Sequence, residues 1–146
     1  MKIALVCANG GHLTEMQELS AVYEKYDAFW VTYRGKDSQN LRPAYFFRDD
    51  RPLLIKMVIQ LTTVFAILFK ERPNLIISTG GAIAIPISIY AKFLGIHVVY
   101  IDCGTNVYEK SGTGKFMIYL SDKFLTQWPD MVKVYGNKAK YWGSLI

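Results

Sequence analysis

Six apolar residues, Ile3-Ala4-Leu5-Val6-Cys7-Ala8, run uninterrupted and break at Asn9-Gly10-Gly11, after which His12-Leu13-Thr14-Glu15 enters a helical pattern. No other feature constrains the fold as strongly. A strand apolar on both faces has to be covered on both, which is what a parallel sheet flanked by helices provides. The break then reads as a tight strand-to-helix turn. Adjacent glycines there let the backbone approach a bound group, and the helix start turns unpaired N–H donors and partial positive charge towards it. His12 and Glu15 stand on the rim of that turn.

The rest of the chain repeats the alternation. Leu13, Met16, Leu19, Val22 and Tyr26 recur every three or four residues and predict a helix packed by one stripe. A strand follows over 28–33, ended by the polar Arg34-Gly35-Lys36-Asp37-Ser38, and 45–47 predicts a short third strand between Pro43 and Arg48-Asp49-Asp50-Arg51. Pro52 suits a first helical position, and 53–69 is nearly unbroken apolar sequence up to Lys70-Glu71-Arg72-Pro73. Only Lys56, Gln60 and Thr63 form a polar stripe on that helix. A strand over 75–78 ends at Thr79-Gly80-Gly81, a helix over 86–94 closes at Gly95, and a strand over 96–101 delivers Asp102. His97 lies inside that apolar run and reads as structural. Beyond a loop at 107–114, a short helix over 116–120 and a strand over 123–126 are expected, while 127–146 shows no clear element.

These elements predict an α/β fold, one Rossmann-like domain over 1–146 with a mostly parallel sheet. Ligands of such sheets bind outside the carboxyl ends of the strands, so 9–12, 79–81 and 102–106 should gather at one rim. At 146 residues and 51% hydrophobic, the chain fills one core but hardly two. A formal charge of +5 favours anionic partners such as phosphates or an acidic lipid leaflet. Two distant cysteines, Cys7 and Cys103, in apolar surroundings suggest a reducing compartment and no structural metal. The first apolar run is too short for an export signal, so the protein is expected to stay inside the cell.

Several familiar motifs are excluded. No strand-to-helix turn carries G-x-G-x-x-G. Ser111-Gly112-Thr113-Gly114-Lys115 looks like a phosphate loop, but Glu109 and Phe116 occupy positions where the Walker pattern needs glycine and serine or threonine. With only His12 and His97 as histidines, no metal-ligand spacing exists, and dispersed basic residues give no nucleic-acid motif. Other readings stay open. Gly10-Gly11-His12 is either a ligand contact or a plain turn with a capping histidine, and Thr79-Gly80-Gly81 either lines a cleft or packs a helix closely. Asp102 can accept a hydroxyl proton or bind sugar hydroxyls, or it can simply organise its loop. The helix over 53–69 is either core or inserted in a membrane surface, with Arg48, Arg51, Lys56, Lys70 and Arg72 near acidic headgroups. A full span in the middle of the sheet would tear it across the bilayer.

Together, Gly10-Gly11-His12-Leu13-Thr14-Glu15-Met16, Ser78-Thr79-Gly80-Gly81 with Pro86, Tyr100-Ile101-Asp102-Cys103, Ser111 to Lys115, and Ser121-Asp122-Lys123-Phe124 through Gln127-Trp128-Pro129 stand in a known order. Over nearly its whole length the chain resembles the accessory, membrane-associating subunit of the two-part UDP-N-acetylglucosamine transferase of dolichol-linked glycan synthesis and its prokaryotic polysaccharide-biosynthesis relatives. The family has glutamate then serine where Asp102-Cys103 stand, so the carboxylate is kept on a shorter arm, and its nearby arginine is absent from Gly104-Thr105-Asn106-Val107.

The resemblance implies a fold similar to the amino-terminal, acceptor-binding half of a GT-B glycosyltransferase. It also implies a separate donor-binding subunit as partner, a lipid-diphosphate-sugar acceptor, and no cofactor. His12 and Asp102 become the candidate catalytic residues; Gly10, Gly11, Glu15, Thr79, Gly80, Gly81, Ser111, Thr113, Gly114 and Lys115 the candidate acceptor-binding ones. Lys56, Lys70, Arg72 and Trp128 are candidate membrane or partner contacts. Eukaryotic members carry an amino-terminal anchor for which Met1-Lys2-Ile3 leaves no room, so attachment to the inner face of the cell membrane is expected through the helix over 53–69. The expected function is that of a subunit inactive without its partner. Its rivals are a self-sufficient small sugar-nucleotide transferase and a membrane scaffold that touches no substrate.

Overall fold

A computed structural model describes residues 1–48 and 52–145. Seven strands, β1 (Lys2–Cys7), β2 (Asp27–Tyr33), β3 (Ala44–Phe47), β4 (Leu75–Gly80), β5 (His97–Ile101), β6 (Lys123–Thr126) and β7 (Ala139–Tyr141), form one sheet in the order β3-β2-β1-β4-β5-β6-β7. Every neighbouring pair is parallel. The crossovers are α1 (Gly11–Glu18) with α2 (Ser20–Tyr23), α3 (Leu53–Glu71), α4 (Ala84–Leu94), α5 (Gly114–Leu120) and α6 (Pro129–Tyr135).

Alternation along β1 divides the core. Ala4 and Val6 point to the face covered by α3 to α6, where they join Val64, Ile67, Ile87 and Met117, while Ile3, Leu5 and Cys7 point to the face of α1 and meet Leu13 and Met16. β1 is thus buried on both sides, as its uninterrupted apolar sequence requires. Strand order reverses between β1 and β4, because the chain winds outwards to β2 and β3 and then returns past β1. In open α/β sheets such a reversal is where a ligand crevice lies, outside the carboxyl ends of the strands concerned, here β1 and β4.

The structure departs from the sequence reading in instructive places. The first helix breaks at Leu19 into two pieces, so Val22 and Tyr26 are exposed and only Tyr23 of α2 reaches the core. The tail, given no element, forms α6 and β7, with Pro129 at the start of α6. His97 is not inside the apolar core: it opens β5 at the surface, with Nδ1 3.6 Å from Asp122 Oδ2. α3 turns Gln60, Val64, Ile67 and Leu68 inwards, and the Gln60 amide donates to the Tyr33 hydroxyl at 2.8 Å. Its outer face carries Ile55, Val58, Phe65 and Phe69, all exposed. Among the described residues no helix is long and apolar enough to cross a membrane. Arg51, expected in the basic flank, lies outside the described residues.

Candidate functional site

The two glycine turns lie side by side at the crevice and are bolted together. Ala8 N–H donates to Gly80 O at 3.1 Å, and the Thr79 hydroxyl donates to His12 O at 2.6 Å. His12 Nδ1 lies 2.8 Å from Thr79 O. A carbonyl only accepts, so Nδ1 carries a hydrogen, and in the neutral ring the lone pair is then on Nε2. Gly80 and Gly81 adopt φ of +123° and +94°. A Cβ at Gly80 would stand 2.7 Å from the His12 ring, and one at Gly81 2.9 Å from the Ala8 nitrogen. Glycine at these positions is what brings the β4 turn against the β1 turn and leaves room for the imidazole.

Gly10 and Gly11 are exposed, with free space where a side chain would project, and Gly10 O accepts from Leu13 and Thr14 N–H. The first N–H groups of α1 therefore face an open approach. Glu15 was expected on the rim but is buried at 3% exposure. One of its oxygens accepts from Gly104 N–H at 2.8 Å and from the Cys103 thiol at 3.4 Å, tying α1 to the loop after β5; the other has no hydrogen-bond partner among the described residues.

Asp102 is also more enclosed than a free carboxylate at a strand end, at 2% exposure. Oδ1 accepts from the Ser111 hydroxyl at 2.7 Å and the Asn106 amide at 3.3 Å, and Oδ2 accepts from the Tyr135 hydroxyl at 2.8 Å. Burial pushes its carboxyl above the usual carboxylate range, against the pull of those bonds. The same burial pushes the Tyr135 phenol up to about 12, so it stays a donor. Tyr135 completes the knot by accepting from Ser111 N–H at 3.0 Å. A Cβ at Gly114 would meet its hydroxyl, which explains glycine there. Asp102 thus holds the 102–114 loop in one conformation.

Of the other expected contacts, Ser111 and Gly114 face this knot, Thr113 is half-buried at the start of α5, and Lys115 is exposed. Trp128 Nε1 donates to Gly104 O at 2.7 Å, bracing the loop after β5. Lys56 lies over the Tyr33 ring and Lys70 over the Tyr45 ring, both on the sheet side of α3, while Arg72 stacks on the outward Phe69. The sequence reading missed Tyr135 and Gln127. Gln127 is buried, donates to Asp102 O at 3.1 Å and accepts from Leu145 N–H at 2.9 Å.

His12, Glu15 and Cys103 each offer a metal-ligating atom within 4.8 Å of the others, the grouping of that kind among the described residues. Their bonding runs inwards instead: the His12 Nδ1 hydrogen goes to Thr79, and the Cys103 thiol, pushed up by burial, donates to Glu15. What the arrangement offers chemically is one imidazole nitrogen and open backbone donors beside a crevice.

Residues 52–145 match the family described as oligosaccharide biosynthesis protein Alg14 like. The UDP-N-acetylglucosamine transferase subunit ALG14 of Homo sapiens is 25% identical over 181 residues, spanning 100% of this chain and 83% of that one. Its Rattus norvegicus counterpart is 31% identical, spanning 92% and 68%. Among solved structures, MurG of Acinetobacter baumannii superposes with a TM-score of 0.78 at 14% identity, over 97% of this chain and 45% of that chain. UDP-N-acetylglucosamine 2-epimerase of Rickettsia bellii gives 0.79 at 14%, over 99% and 45%. This chain spans less than half of either solved chain, and at such identity the likeness is one of fold, the Rossmann-like fold of GT-B enzymes.

Proposed function

Because the chain belongs to the Alg14-like family of oligosaccharide biosynthesis proteins, we propose that it is the acceptor-binding subunit of a UDP-sugar glycosyltransferase. A second chain supplies the sugar nucleotide. The acceptor is a lipid-diphosphate-linked sugar, presented at the cytoplasmic face of the membrane. The observation that carries this reading is the pairing of His12 with the β4 turn at the strand reversal, which leaves Nε2 and the open start of α1 beside one crevice.

In the reaction, the acceptor hydroxyl oxygen bonds to the anomeric carbon of the UDP-sugar, the bond from that carbon to UDP breaks, and the hydroxyl proton passes to His12 Nε2. Gly10 and Gly11 admit the acceptor to the N–H groups of α1, and Thr79 to Gly81 form the opposite wall. Asp102, Ser111 and Gly114 act on this site by fixing the loop at its side, and Glu15 by clamping that loop to α1. Thr113 and Lys115, at the head of α5, face the acceptor's outer portion. Trp128 braces the loop nearest the partner.

Membrane contact falls to the outward face of α3. Ile55, Val58, Phe65 and Phe69 are exposed there, Arg72 lies against Phe69, and the exposed Leu94 of α4 lines a groove with Phe69. The face is apolar with a basic border, the composition of a surface that rests on acidic lipid.

The test is UDP release from a panel of UDP-sugars with a lipid-diphosphate-sugar acceptor, using this chain alone and then with the donor-binding protein of the same source. Turnover in the mixture alone is expected. Turnover by the single chain would favour a self-sufficient enzyme, and unchanged turnover when His12 is replaced would favour a scaffold.

A further inference from the structure

Beside Asn9, in the loop that joins the carboxyl end of β2 to the amino end of β3, lies a concavity of about 370 Å³ lined by Arg34, Gly35, Lys36, Gln39, Arg42 and Phe46. Three of its six lining residues are cations and none is an acid. Asp37, adjacent in sequence, forms an ion pair with none of them, and among the described residues Arg34, Lys36 and Arg42 have no carboxylate partner. Like charges gathered without an acid repel one another, and a bound anion relieves that repulsion.

The walls are already built. The guanidinium carbons of Arg34 and Arg42 lie 5.8 Å and 5.9 Å from the centre of the Phe46 ring, so one ring holds both forks. Arg42 Nη1 donates to Gln39 O at 2.9 Å and Leu41 O at 2.6 Å, and among the described residues its Nη2 and Nε hydrogens are uncommitted. The buried Ser38 hydroxyl donates to Tyr33 O at 2.8 Å and accepts from Gly35 N–H at 3.0 Å, and Arg34 N–H donates to Phe47 O at 2.8 Å, so the loop does not have to order on binding. Gly35 packs on Asn9: a Cβ there would stand 2.4 Å from the Asn9 amide nitrogen. The concavity therefore begins where the Gly10 turn begins.

We propose that this concavity is a diphosphate-binding subsite, in which Arg34 and Arg42 each fork a phosphate and Lys36 supplies a third charge. Guanidinium forks match phosphate oxygens in pairs, and two forks on one ring suit two linked phosphates better than one. The subsite deepens the function proposed above and rests on it for the identity of the molecule carrying the diphosphate.

The test begins with calorimetric titration of the full chain with inorganic pyrophosphate and with inorganic phosphate. Pyrophosphate is expected to bind at least ten-fold more tightly than phosphate. An Arg34→Gln/Arg42→Gln variant should weaken it at least ten-fold with an unchanged melting transition, while Lys25→Gln/Lys133→Gln, which removes the same charge elsewhere, should bind as the parent does. Equal pyrophosphate affinity in the first variant and the parent would overturn the subsite, as would equal losses in both variants. Sedimentation with phosphatidylglycerol vesicles separates the sources of phosphate: vesicle binding that depends on Arg34 and Arg42 without pyrophosphate binding would assign the patch to lipid headgroups and overturn the proposal. In the assembled pair, the Arg34→Gln/Arg42→Gln variant should raise KM for the lipid-diphosphate acceptor at least ten-fold with kcat unchanged. A pair without transferase activity would sink the proposed function and leave the pyrophosphate result to judge the subsite alone.

Discussion

At the scale of single residues, His12 and Asp102 occupy opposite situations. His12 has one nitrogen anchored and the other available, whereas Asp102 has both oxygens engaged by Ser111, Asn106 and Tyr135. Loss of a positioned general base costs about 10²–10⁴-fold in rate, so His12→Ala should lower kcat of the assembled pair by that order with the melting transition intact. Gly80→Ala should lower it too, because its methyl group would displace the imidazole, but this variant also melts earlier since φ of +123° strains alanine. Tyr135→Phe removes a donor from the buried carboxylate and an acceptor from Ser111 N–H, a loss of about 1–3 kcal/mol. It is checked by chemical denaturation and by faster amide exchange at Ser111.

Asp102 also makes stability depend on pH. Folding raises its pKa, so its contribution is fully present below the ordinary carboxylate value of 3.8 and is lost as pH rises through the raised value. The stability of the parent relative to Asp102→Asn should therefore decline across that window, and denaturation at a series of pH values reads the decline directly. The sequence placed His12 and Asp102 at strand ends but not these differences, because what separates them is Tyr135, 33 residues beyond Asp102 in a tail whose periodicity is too short to read.

At the scale of elements, α3 shows what an apolar count leaves out. The sequence predicted a helix apolar almost all round, and α3 does carry two apolar faces, one against the sheet and one exposed. Its lysines were candidate membrane or partner contacts, and Lys56 and Lys70 lie on Tyr33 and Tyr45 at the sheet side. Those aromatic partners come from β2 and β3, so no helical wheel drawn from α3 alone could have found them. The consequence for membrane binding is specific. Phe65 and Phe69 stack on the outer face with ring centres 6.3 Å apart, and burying a phenylalanine side chain is worth about 1.5–3 kcal/mol. Phe69→Asp should weaken sedimentation with acidic vesicles by about ten-fold or more at that magnitude, without lowering the melting transition of an already exposed residue. Lys56→Glu and Lys70→Glu should weaken vesicle binding much less; equal losses from all three would shift the contact away from the outer face of α3.

At the scale of the whole molecule, legibility followed burial. Strands covered on both faces, β1, β4 and β5, were readable because their side chains are apolar without alternation, and the glycine turns that follow β1 and β4 punctuated them. β7 was not readable: it is three residues long, with Lys140 and Tyr141 exposed, and is a strand only because β6 offers it an edge. The same dependence of one part on another makes a prediction about the family match, which covers 52–145. Those residues include four of the seven strands but not β1, which pairs with β4 on one side and β2 on the other. Without β1, the β4 edge is bare, and Val64, Ile67 and Ile76 lose Ala4, Val6, Phe29 and Val31 from their shared cluster. A fragment of residues 52–145 should therefore lack a cooperative thermal transition and show little amide protection in β4, whereas the full chain melts in one step. Adding a peptide of residues 1–48 should restore part of that protection by refilling the central strand. A fragment that melts cooperatively by itself would show that the sheet is organised from β4 outwards and that β1 is added to a structure already formed.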